Sequence, residues 1–361
     1  MKTIKIFTDN IGGKANHQVY SLAKHPAFKD SDIRIMPDVH AGAGCVIGFT
    51  ANLGDKVVPN IVGVDIGCGV LGTNLGNVEI NYALLDSYIT MYIPSGFKSH
   101  TILNGVGVIA SAMIANLRCI KALKKRPDQF ALAIGSLGGG NHFIEVAEDE
   151  LSGNKWLIIH SGSRNLGHQV ASYYQRLASA IPQKSVPKEV AYLDGQAGED
   201  YLHDMKICQR FAELNREEMM FCITDFLGMK PIESIDTIHN YIDSTNMVRK
   251  GAISAHKGEN VLIPMNMRDG TILGIGKGNP DWNFSAPHGA GRLMSRGQAR
   301  RELSMDKFTE MMQDVHTTSV VKATLDESPE AYKPMEEIIG LIGDTVDILA
   351  ILKPIYNYKA K

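Results

Sequence analysis

The sequence predicts an α+β fold, a single mixed α/β domain over residues 1–361 with a helical insertion at about 198–230. Three observations predict it. Short apolar runs of strand type alternate with longer helical patterns. Glycine, at 35 residues, is clustered rather than spread. No low-complexity tract, fixed-period repeat or interdomain linker divides the chain.

The strand-type runs are Ile4–Phe7, Ile33–Met36, Tyr88–Ile93, Trp156–Ile159, Val261–Ile263 and Ile272–Ile275. Helical patterns cover Val108–Lys125, Gly167–Ala180, Gly198–Leu227, Ser304–Val315 and Pro334–Leu341. The mixed charges and methionines of Asp200–Leu227 suit a surface or hairpin helix. Glycine clusters fall at Gly42–Gly48, Gly63–Gly76, Gly135–Gly140, Gly162–Gly167, Gly270–Gly278 and Gly289–Gly297. They carry His, Asp, Asn and Cys beside them, which suggests site loops rather than flexible linkers.

Charge and cysteine content narrow the class. The chain has 37 basic and 39 acidic residues, net −2, so any phosphate-binding surface must be a local patch. The N-terminus MKTIKIFTDN lacks the apolar core of a signal peptide. No apolar run approaches the roughly 18 residues of a membrane span. Five scattered cysteines argue for a reducing compartment, so the expected location is the cytoplasm.

Chemistry concentrates in a few segments. Val64-Asp65-Ile66-Gly67-Cys68-Gly69 sets a carboxylate and a thiol close together between glycines. A soft thiolate with a hard carboxylate suits a borderline divalent metal such as Zn or Mn, although a lone buried Cys is the commoner outcome. His142, His160 and His239 sit at strand–loop junctions, where ligands gather; each taken alone is more often a hydrogen-bonded structural imidazole. Together these residues permit a dinuclear site, with Asp65, Cys68 and His142 on one ion and Cys68, His160 and His239 on the other. In Ser285–Arg292 a histidine, His288, precedes small residues and an arginine, a setting for an imidazole nucleophile toward phosphorus. Arg164, inside a Ser/Gly loop, is a candidate bidentate phosphate ligand. Arg292, Arg296, Arg300 and Arg301 form a cationic run, with Arg300 and Arg301 read as a solvated face. No Walker A or Rossmann fingerprint is present, and Gly274–Gly278 resembles a P-loop only loosely.

Taken in order, several blocks resemble the signatures of the RtcB RNA-ligase family. They are Met36-Pro37-Asp38-Val39-His40-Ala41-Gly42, Val62–Gly69, Gly138–Glu145, His160–Arg164, His239-Asn240, Arg249-Lys250-Gly251-Ala252 and His288-Gly289-Ala290-Gly291-Arg292. The resemblance implies the RtcB fold, with central β-sheets, and ligation of an RNA 3′-phosphate or 2′,3′-cyclic phosphate to a 5′-hydroxyl, in RNA repair or tRNA splicing. It implies GTP and two Mn²⁺ ions, with the metal ligands assigned as above and His288 as the residue guanylylated. It places Asn141, His142, Phe143, Ile144, Glu145, His239, Asn240, His288, Gly289, Ala290 and Gly291 around GTP. Lys359, in the closing strand Leu352–Lys359, would contact the nucleotide. Arg164 and Arg249 are the candidates for RNA phosphates.

One segment departs from the family pattern. Where most members have Pro-Gly-Ser-Met-Gly over the nucleotide, this chain reads Pro264-Met265-Asn266-Met267-Arg268-Asp269-Gly270-Thr271. Pro264, Met265, Asn266, Met267 and Thr271 are still the expected nucleotide contacts. This departure, with a chain shorter than the typical ligase, suggests a divergent subgroup. It motivates an alternative function, a metal-dependent RNA-end phosphatase or cyclic phosphodiesterase that has lost ligation. A non-catalytic RNA-binding protein is a further alternative, which the near-neutral charge disfavours.

Overall fold

The computed structural model describes residues 3–361. Its largest sheet has seven strands, all antiparallel, in the order Asn260–Asn266, Gly270–Gly276, Val346–Tyr358, Phe143–Asp149, Lys155–Ser161, Gly69–Gly76 and Glu233–Ile238. A five-stranded sheet runs Ile4–Ile6, Ile33–His40, Ile47–Asn52, Met247–Lys250 and Asn240–Ile242, with only its first pair parallel. Ala252–Ser254 and Ser285–Pro287 form a separate antiparallel ribbon. The mixed α+β class expected from the sequence is observed.

The central strands are buried on both faces, so they read as continuous apolar or glycine-rich runs instead of alternating ones. Gly69–Gly76 is buried at every residue. Its glycines hid it from a propensity reading, but Leu262 and Trp156 pack over Gly72, where a larger residue has no room. Val346–Tyr358 extends the expected closing strand well toward its N-terminal side.

Two other expectations are corrected. Tyr88–Ile93 is not a strand; it is the end of the helix Tyr82–Tyr92, started by the Asn81 side chain accepting from the Leu84 amide at 3.1 Å. A short apolar run does not distinguish the two states, and the cap decides. The helix expected over Val108–Lys125 is Gly105–Ile114, capped by Asn104, followed by a short 3₁₀ turn at Ile120–Ala122.

The long helix Gly195–Leu227 is one continuous 33-residue helix, not a hairpin. Nor is it peripheral: Met205, Cys208, Phe211, Ala212, Met219 and Ile223 are fully buried. Arg216, also buried, forms a bidentate pair with Asp236 at 2.7–2.9 Å and donates to the carbonyls of Gly67 and Ser161. Those carbonyls flank Cys68 and follow His160, so this guanidinium holds two site-bearing strand ends in place. Among the described residues no helix is long and apolar enough to cross a membrane.

Candidate active site

Strand register gathers the site. Gly69 pairs with Ser161 on one side and Ile238 on the other, while Phe143 pairs with His160. Cys68, His142, His160 and His239 therefore lie at one end of four adjacent strands. His239 occupies the crossing from the seven-stranded to the five-stranded sheet.

The side chains converge. Cys68 Sγ is 3.4 Å from His142 Nε2 and 3.3 Å from His160 Nε2. His160 Nε2 is 3.4 Å from His239 Nε2, and His142 Nε2 is 3.0 Å from Asp65 Oδ2. His142 Nδ1–H donates to the Leu137 carbonyl at 2.9 Å, and His160 Nδ1–H to that of Asn141 at 3.2 Å. Donating from Nδ1 leaves each Nε2 as a bare lone pair. Two such lone pairs then face one sulfur at close range, an arrangement that only a cation or a proton makes favourable.

Electrostatics agree. Burial lowers the His160 and His239 pKa values well below the ordinary one, keeping both imidazoles neutral. Burial, with Asp65 alongside, pushes the Cys68 thiol well up, so a thiolate here needs a bound cation. Loss of hydration would raise Asp65, but a proton taken up between His142 Nε2 and its carboxylate supplies the hydrogen bond and charge that bring it to about 2. Sulfur, imidazole and carboxylate in this order suit a borderline divalent ion.

The glycine run beside these side chains is shaped by them. Gly138 has φ +90°, and a side chain there would collide with Arg164 and come within 2.6 Å of His142 Nδ1. Arg164 opens the helix Arg164–Ala180 at φ +55°. It donates to Gly96 O at 2.6 Å and Ser136 Oγ at 3.2 Å.

A cavity of about 730 Å³ adjoins the centre. His288, directly after the Ser285–Pro287 strand, lines it, and its ring lies 4.8 Å from that of His239. His288 Nδ1 is 2.6 Å from Asp38 Oδ2, which also accepts the His288 amide at 3.1 Å. Asp38 is fully buried. It protrudes because its strand bulges: Ile35 pairs with Phe49 but His40 pairs with Ile47. Gly291, at φ +77°, lies against the Asp38 backbone and tolerates no side chain. The sequence assigns Asp38 no role; a carboxylate within the buried strand Ile33–His40 is the signal that could have found it.

Most expected nucleotide residues line this cavity: Asn141, Phe143, Glu145, Pro264, Met265, Asn266, Met267, Thr271, His288, Gly289, Ala290, Gly291 and Lys359. Ile144 does not; strand alternation turns it into the hydrophobic core between Phe143 and Glu145. Asn240 instead braces the loop that carries Asp65, donating to Asp65 O at 3.2 Å and accepting from Gly251 N at 3.1 Å. His142 and His239 belong to the Cys68 cluster.

The divergent segment is a tight turn in the cavity wall. Asn266 Oδ1 accepts from the amides of Arg268 and Asp269, and Arg268 pairs with Asp269. Arg249 is not brought to the cavity. Only 1% exposed, it is bound by Asp243 at 2.6 Å, Ser285 and Tyr241. Its guanidinium is thus engaged within the fold, away from the cavity, an arrangement of burial and ion pairing that the sequence does not disclose.

At the far wall Lys359 Nζ contacts Glu327 at 2.9 Å and Asn141 O at 3.2 Å. Burial works against the Glu327 carboxylate, but Lys359, Arg296 and Arg292 hold its pKa down at about 2. Glu145 is the opposite case. Burial pushes its carboxyl up to about 8, against the opposing pull of its Asn357 hydrogen bond and of Lys359. The folded chain thus keeps a proton that an unfolded chain releases near 4.5, so stability is full below that value and falls as pH rises through about 8. Melting curves should show wild type losing stability relative to Glu145→Gln across this window, by up to a few kcal/mol. Parallel profiles would refute the buried acid.

These features define a class: an α+β enzyme with a buried Cys/His metal-type centre beside a nucleotide-sized cavity. The family model described as tRNA-splicing ligase RtcB matches residues 18–360. An RNA-splicing ligase RtcB of Escherichia coli K12 is 31% identical, covering 99% of this chain and 97% of its own. The tRNA-splicing ligases RtcB of Aeropyrum pernix and Archaeoglobus fulgidus are 29% and 28% identical, over 84% and 94% of this chain and 82% and 90% of theirs. The chain belongs to the RtcB family.

Proposed function

We propose that this chain is a GTP-dependent RNA ligase that joins an RNA 3′-phosphate or 2′,3′-cyclic phosphate to a 5′-hydroxyl, in RNA repair or tRNA splicing. The observation that carries the reading is His288: its imidazole faces the cavity, beside the Cys/His cluster, with Nδ1 held by a buried carboxylate. Accepting the Nδ1 proton's hydrogen bond, Asp38 leaves the Nε2 lone pair available as a nucleophile.

His288 Nε2 bonds to the α-phosphorus of GTP as the bond to pyrophosphate breaks. An oxygen of the RNA 3′-phosphate then takes the guanylyl group, breaking the N–P bond. Last, the 5′-hydroxyl attacks the activated 3′-phosphorus, loses its proton and expels GMP. Glu145 lines the cavity with one oxygen unpartnered among the described residues, and on giving up its proton it would accept from the N–H edge of guanine, while Lys359 lines the same cavity. Asp65, Cys68 and His142 would hold one Mn²⁺, and Cys68, His160 and His239 the other. Such ions supply Lewis-acid charge for phosphate oxygens. Arg164, next to Asp65 and beneath Gly138, is the candidate anchor for an RNA phosphate.

A gel assay tests this. Oligonucleotides bearing 3′-phosphate and 5′-hydroxyl ends, given GTP and Mn²⁺, should yield a longer product. Ends that are hydrolysed but never joined, with no GTP consumed, would replace this reading with the phosphatase one.

A further inference from the structure

We propose that Phe97 is a stacking platform for a nucleobase of single-stranded RNA entering the site, an inference that rests on the RNA-ligase reading. Phe97 is 110% exposed, with no side-chain cover at all. Its backbone, in contrast, is tightly held. Leu137 N donates to Pro94 O at 2.9 Å, and Gly96 N to Gly138 O at 2.9 Å. Ser95 forms a parallel bridge with Gly138. Arg164 clamps Gly96 O at 2.6 Å, and Lys98 N closes a turn onto Ser95 O at 3.2 Å. A ring displayed on a fixed loop loses little freedom when a ligand covers it.

The loop's position indicates the ligand. The segment it is bridged to, Gly138–Gly140, runs directly into Asn141 and His142. Gly96 Cα lies 3.6 Å from where a Gly139 side chain would start, and on the other flank Arg296 lies 3.4 Å from the same position on Gly140. A bare glycine floor therefore leads to the metal-type centre. On one side stand Phe97 and the exposed Lys98, unpaired among the described residues. On the other is Arg296, which is paired with Asp326 and Glu327 but keeps its remaining guanidinium donors toward Gly140. An aromatic face for a base beside cations for phosphates is how single-stranded nucleic acid is held without sequence readout. A second copy of the chain is the poorer occupant, because Lys98 and Ser99 directly follow the ring and are themselves exposed.

Fluorescence anisotropy with a short single-stranded RNA 3′-phosphate tests the proposal. Phe97→Ala should weaken binding roughly tenfold to a hundredfold at an unchanged melting temperature, since the side chain packs on nothing. Phe97→Trp should bind as wild type, and its fluorescence should be quenched by RNA. Both native tryptophans, Trp156 and Trp282, are only 2% exposed, so the new indole dominates the response. Undiminished RNA binding by Phe97→Ala would overturn the proposal. So would wild-type self-association that Phe97→Ala abolishes while RNA binding stays the same. Failure of the underlying reading is separate: the wild-type protein would then form no GTP adduct, whatever Phe97 does.

Discussion

His288→Ala is expected to end formation of the covalent guanylyl adduct altogether. After incubation with GTP and Mn²⁺, the intact mass of the wild-type protein should rise by one guanylyl group, and that of the variant should not. Ligation should fall by several orders of magnitude, since no neighbouring side chain can replace the nucleophile. Folding should survive, because the imidazole is 17% exposed to the cavity and its one strong partner is Asp38. A graded companion is Asp38→Asn, which keeps the shape but removes the charge. An amide can donate as well as accept, so it no longer enforces the tautomer with a bare Nε2. Adduct formation should slow by up to about 10⁴-fold. Undiminished mass gain in His288→Ala would overturn the assignment.

Cys68→Ala should remove both the metal and the activity. Cys68 Sγ lies within 3.4 Å of the Nε2 atoms of both His142 and His160, so losing it opens both halves of the cluster. Elemental analysis of the purified variant should show metal affinity reduced by more than about 100-fold, beyond what changes around a ligand achieve. The protein should still fold, since Ala fills most of this small buried space at a cost of about 1 kcal/mol. Retention of stoichiometric metal by Cys68→Ala would show that the cluster is not the metal site.

The two halves of the site differed in how far the sequence disclosed them. Asp65, Cys68, His142, His160 and His239 sit at ends of apolar runs, and such ends share one edge of a sheet once the strands pair. The Asp38–His288 pair was hidden for a geometric reason. The partners are 250 residues apart and meet only because a bulge turns Asp38 out of its strand. Arg249 sits away from the cavity for the reverse reason, since residue type signals cationic charge but not the carboxylate that neutralises it. Tyr88–Ile93 was misjudged because the deciding cap, Asn81, lies upstream of the apolar run. Glycine-rich Gly69–Gly76 reads as a site loop in the sequence but is a strand, because its packing space is set by Leu262 and Trp156, far away in the chain.

The location of His239 has a consequence for the economy of the folded state. Its amide donates to Cys68 O at 2.9 Å and its carbonyl accepts from Gly251 N at 2.7 Å, so one residue is stitched to both β-layers. An ion captured by its imidazole would act as a rivet between those layers. Occupancy and cohesion would then be thermodynamically linked: each decade of free ion above the dissociation constant adds about 1.4 kcal/mol of resistance to unfolding. Cells short of the ion would hold a looser protein as well as an idle one.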